Sequence, residues 1–297
     1  MKLLMENWRK FINEQEEQAP APAFKFAMNG DANAPTDVPL VQGGQADLGA
    51  AVQSAMAAAA DRLGYGPEGA KQAFDACMAI IGGEQALKAN FATLKQRMVK
   101  GPANDLEETP PRGDMPVLDP KQFENFVKNL SAGKLDTLED YADSAPLGEG
   151  VLDMPDFPDD MHTASDQEKA YFLQKGLKDK GGANDEDREV SFKQNQEIPV
   201  GSCYPTQQQI YVDKAIFNML NFGAIKPGST AFGSQVISVS AGGDYYILDG
   251  HHRWASAMLG SPTNKIKSAI ISGMGTLKRA LALLRAYGGA IGNAPRA

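Results

Sequence analysis

The sequence predicts an α+β protein: a mixed C-terminal domain preceded by a helical N-terminal region and an acidic linker. Three observations predict it. Residues 188–287 alternate short β-branched runs with apolar helical stretches, as a small mixed domain does. Residues 48–100 are alanine-rich, favour helix and are interrupted at Gly82-Gly83. Between Asp105 and Glu168, 17 acidic side chains stand against 4 basic ones, interleaved with Pro110, Pro111, Pro155 and Pro158, a composition that resists burial.

Taken in order, residues 1–13 form an amphipathic N-terminal helix, with Leu4, Trp8, Phe11 and Ile12 on one face. Glu6, Arg9 and Lys10 interrupt its apolar residues, which excludes a secretory signal. It packs on the protein, docks on a larger assembly, or lies on a membrane surface. Residues 14–47 mix Pro, Ala, Gly, Gln and Asn, as a flexible linker does. Helices are expected over 48–63, 67–81 and 83–99, forming a small helical region that carries no catalytic constellation. Residues 101–187 form the acidic, partly ordered linker, with helices near 120–130 and 135–143. Asp153, Asp156, Asp159 and Asp160 lack the glycine and closing glutamate of an EF-hand loop, so a solvated tract is favoured over a calcium site.

In the C-terminal domain the pattern predicts strand 196–201, helix 205–221, strands 234–240 and 245–249, helix 252–260, strand 266–272 and helix 274–287. Thr206 is the expected N-cap of the second element. Ala241-Gly242-Gly243-Asp244 reads as a hairpin turn, and the last helix should stop before Gly288-Gly289. Residues 288–297 are a tail.

The chemistry concentrates at Tyr246-Ile247-Leu248-Asp249-Gly250-His251-His252-Arg253-Trp254-Ala255. A strand ends in Asp-Gly and hands over to a helix that opens with two imidazoles and a guanidinium, although the chain has only three histidines. Helix N-termini attract anions, and Arg253 and a donating His252 add charge-assisted hydrogen bonds. The competing reading is a tight turn decorated by histidines. No Walker A sequence occurs.

This stretch resembles the signature turn of the ParB/sulfiredoxin fold superfamily, in the D-G-H-H-R form of its free serine kinase and ParB-like nuclease branches. The resemblance spans residues 190 to 275 and implies a nucleotide- or phosphate-binding domain. Sulfiredoxins place their reactive cysteine where this chain has His251, so sulfinic-acid reduction is not implied. Partition-type ParB proteins continue into a helix-turn-helix, for which the about 40 residues after the motif are too few.

The resemblance implies His252 and Arg253 as phosphate ligands, Gly250 as the point of close backbone approach, and His251 either beside them or turned inward. Asp249 would orient an imidazole or hold Mg²⁺ through water. Upstream, Glu197-Ile198-Pro199-Val200 and Pro205-Thr206-Gln207 are similar to the opening strand and turn of such domains. There Glu197 is a candidate base and Gln207 a candidate site residue, while Cys203 reads as an inert thiol.

A net charge of −8 argues against a surface that grips nucleic acid throughout. A patch of Lys265, Lys267, Lys278, Arg279 and Arg285 keeps ParB-like nuclease activity as a third reading. Two cysteines in unlike contexts make neither a disulfide framework nor a zinc site. No apolar stretch spans a bilayer.

The leading expectation is therefore a binder of ATP or another nucleotide, with Mg²⁺, acting as a phosphotransferase or nucleotide hydrolase if it turns over. The alternative is a phage virion or packaged protein that meets a protein partner through its N-terminal helix, since that helix is similar to leaders of phage virion proteins. The expected location is the cytoplasm of a bacterial host, or a virion.

Overall fold

The computed structural model describes residues 25–27, 40–42, 47–102, 118–130, 161, 163–176, 190–207, 209–231, 233 and 235–292. The expected helices over 1–13 and 135–143 and the aspartates at 153–160 lie outside these residues. Eight helices and two sheets are present among the described residues, an α+β architecture. The elements are β1 (Lys25–Ala27), β2 (Leu40–Gln42), α1 (Leu48–Arg62), α2 (Gly66–Ile81), α3 (Glu84–Lys100), α4 (Pro120–Val127) and α5 (Asp166–Lys175). They continue with β3 (Ser191–Pro199), a 3₁₀ turn (Val200–Ser202), β4 (Cys203–Pro205), β5 (Gln209–Tyr211), α6 (Val212–Phe222), β6 (Val236–Ala241), β7 (Asp244–Asp249), α7 (His251–Gly260), β8 (Lys265–Ser272) and α8 (Leu277–Ala290). A mixed five-stranded sheet has the order β3-β8-β6-β7-β4, and a three-stranded sheet the order β2-β1-β5.

By contacts the chain divides into two compact units. One takes Met1–Leu106, Glu197–Ser234 and Gly250–Lys267; the other takes Glu107–Gln196, Gln235–Asp249 and Ser268–Ala297. The stretch 188–287, expected as one domain, contributes to both.

In the first unit, α1 packs on α2 and α6, and α7 packs on α3 and α6. Ala51, Ala55 and Ala59 are buried one turn apart on α1, so small side chains let α6 approach closely. Asp47 caps α1 by accepting from the Ala50 N–H at 3.1 Å. Between α2 and α3, Gly82 and Gly83 take φ of 98° and 90°, a region that side chains disfavour. Asn90 ties α3 to α7 by donating to the carbonyls of Leu259 and Gly260 at 2.9 and 3.1 Å.

In the second unit, β6 pairs antiparallel with β7 and parallel with β8. Gly242 and Gly243, both at positive φ, make the expected two-residue hairpin turn. Phe123, Phe126, Phe172 and Tyr287 pack with the apolar residues of β6, β8 and α8, and Phe123 meets Tyr287 edge-on at 4.9 Å.

Four local expectations are revised. Residues 14–47 contain β1 and β2, with β1 parallel to β5. The helix expected from 205 starts only at Val212, behind two short strands. Helix α5 appears inside the acidic stretch, where Ser165 and Glu168 form a reciprocal capping box. Helix α8 runs through Gly288 and Gly289, both buried, and the positive-φ turn falls at Gly292 instead.

Candidate functional site

The Asp-Gly turn forms as the sequence implies. Asp249, half-buried, closes β7 opposite Ile237. Gly250 then adopts φ 91° as the N-cap of α7. A side chain at this φ would be strained, so glycine is what lets the strand turn directly into the helix.

The two imidazoles face the β4–β5 connection. His251 is 3 % exposed, and its Nε2 accepts from the Thr206 N–H at 3.2 Å, with the Thr206 hydroxyl at 3.3 Å. His252 is 9 % exposed; its Nε2 accepts from the Tyr211 N–H at 3.0 Å, with the two rings 5.4 Å apart. A backbone N–H can only donate, so each Nε2 presents a lone pair. Each ring is therefore the neutral tautomer protonated at Nδ1. The pair acts as two clamps on the segment between β4 and β5. A helix running on from Thr206 would bond the Tyr211 amide to the Gln207 carbonyl, and that amide is instead taken by His252, more than forty positions away.

Gln207 is buried and donates its amide to the Gln209 carbonyl, bracing the same connection. Glu197 lies at the surface, where it accepts from the Thr230 hydroxyl at 2.9 Å and meets Lys265 at 3.7 Å. Cys203 is fully buried, and burial pushes its thiol up to about 12 against the opposing pull of Arg97. It suits packing better than nucleophilic chemistry.

Arg253 has a different setting. It lines an open cleft of about 80 Å³ together with Asn218, Met219 and Phe222 of α6, Ile225 after it, and Ser256, Ala257 and Gly260 of α7. Ser256, Ala257 and Gly260 follow Arg253 at helical spacings of three, four and seven, so one flat face of α7 makes a wall. Arg253 is the one charged side chain among the described lining residues, and His252 does not line the cleft. The guanidinium thus lines the cleft and the neighbouring imidazole does not. The spacing Arg253, Ser256, Ala257, Gly260 was visible in the sequence, but Asn218 and Phe222 carried no motif that would single them out.

Among the described residues, no group of three or more His, Cys, Asp or Glu side chains comes together to hold a metal. No helix among the described residues is long and apolar enough to cross a membrane. Neither family models, nor curated proteins, nor solved structures yield a match to the chain.

Proposed function

We propose that this protein binds a small phosphate-bearing ligand of nucleotide type, with Arg253 receiving the anion. The observation that carries the reading is the placement of Arg253 in the first turn of α7, lining an open cleft. A guanidinium offers five donors in a fixed fork that matches phosphate oxygens. The resemblance of Asp249-Gly250-His251-His252-Arg253 to the ParB/sulfiredoxin turn agrees with this assignment. In it, His251 and His252 are positioning residues that hold the β4–β5 connection against α7. Gly250 allows the sharp entry.

Glu197 is engaged with Thr230 and Lys265 and is given no catalytic role, and no step is assigned to a metal.

A melting-temperature panel tests it. ATP, GTP, CTP and inorganic tripolyphosphate are added to the full chain with and without Mg²⁺. At a ligand concentration of about 100 Kd the native state gains about 2.7 kcal/mol, a readily measured shift. The expected result is stabilisation by at least one member of the panel, abolished in Arg253→Ala. A panel in which nothing raises the melting temperature of the parent chain removes the proposal.

A further inference from the structure

We infer that the cleft beside Arg253 takes a flat aromatic ring carried by the same anion, with Phe222 as the surface on which that ring stacks. The inference rests on the anion-binding reading above and goes further, to the shape of the ligand.

Phe222 ends α6 and is 52 % exposed, while lining the cleft. An exposed aromatic alone needs no explanation. This one lines the same cleft as Arg253 and as the Ser256, Ala257 and Gly260 face of α7, and Gly223 and Gly233 line it too. Met219, Ile225 and Ala257 make the slot mainly apolar, and Arg253 supplies its charge. A ligand complementary to it has an anionic group and a compact apolar plane. An inorganic anion would meet the charge and leave the apolar slot unused.

Size decides how the plane sits. The cleft's volume of about 80 Å³ is smaller than the roughly 150 Å³ cavity that encloses benzene. A ring therefore cannot be swallowed. It lies partly out of the slot, one face on the Phe222 phenyl, with its edge towards Ser256 and Asn218, which offer a hydroxyl and an amide to ring nitrogens or exocyclic groups.

Calorimetric titration of the full chain with ATP and with tripolyphosphate, an anion without a ring, separates the two layers of the argument. ATP should bind the parent chain more tightly than tripolyphosphate. Phe222→Ala should weaken ATP by about five- to a hundredfold, the range for loss of one stacked base, and leave tripolyphosphate unchanged. Phe222 is exposed, so this variant should melt with the parent, which is checked in parallel. Equal binding of ATP and tripolyphosphate, an unaltered ATP affinity in Phe222→Ala, or equal weakening of both probes overturns the ring site while the anion reading stands. No binding of either probe removes both.

Discussion

Replacing His252 by phenylalanine keeps a ring of similar size in the same place and removes only the nitrogens. In the parent chain, Nε2 of this residue accepts from the Tyr211 N–H at 3.0 Å in a buried setting, with Tyr211 itself 8 % exposed. The variant leaves that amide without an acceptor and with little access to water. A buried donor stripped of its partner costs about 1–3 kcal/mol. The ring contact with Tyr211, centred 5.4 Å away, survives in kind, so its share is not lost. A decrease of about 1–3 kcal/mol corresponds to roughly 2–4 °C of melting temperature per kcal/mol in a body of 150 to 250 residues. Urea unfolding followed by circular dichroism should show a lower midpoint with an unchanged slope. His251→Phe should behave alike through Thr206 N–H, since His251 is the more buried of the two. If both variants unfold within about 0.5 kcal/mol of the parent, a change typical of an exposed site, the imidazoles are not clamps and the account of the β4–β5 connection is wrong.

Four further outcomes follow from the same structure. Trp254, fully buried, donates Nε1–H to the Val200 carbonyl at 3.0 Å; Trp254→Phe removes that bond and leaves a void, at about 2–4 kcal/mol by urea unfolding. A methyl group on Gly201 would sit 2.7 Å from the Pro262 carbonyl oxygen, so Gly201→Ala should destabilise by about 1–3 kcal/mol in the same assay. Cys203 should resist a thiol reagent such as DTNB at pH 8 until the chain is denatured, because burial holds it protonated. Its folded value of about 12 lies above the ordinary 9.0, so the stability it contributes is complete below pH 9 and drains away between pH 9 and about 12. The melting temperature should fall across that window, less steeply in Cys203→Ala.

Where structure depends on neighbours in sequence, the reading from residues agrees with it. Alanine content and the Gly82-Gly83 break mark α1 to α3 within a few residues of their ends. Gly242-Gly243 marks the β6–β7 turn, and Asp249-Gly250 marks the entry to α7. The helix expected from 205 gives way to strands over 203–211, where the Thr206 and Tyr211 amides donate to His251 and His252, a pairing no local pattern contains. The Ser165–Glu168 capping box is written in the sequence, but inside a stretch whose acidic composition argues against order. The motif marks Arg253 only as a candidate for anion binding. The companions Arg253 has in the cleft were not legible, because Asn218 and Phe222 reach it only through the packing of α6 on α7.

The way α6 is seated has a practical consequence for anyone trimming this protein. Its inner residues Ala215, Ile216 and Met219 are covered, and α1 and α2 pack against the helix. Ser54 and Cys77 reach across to bond Asp213 and the Met219 carbonyl. A fragment beginning near residue 188 would carry the whole His-His-Arg motif yet expose this oily seam to solvent. Such a fragment is expected to aggregate rather than report on ligand binding, and residues 48–100 must be kept for the motif to be studied at all.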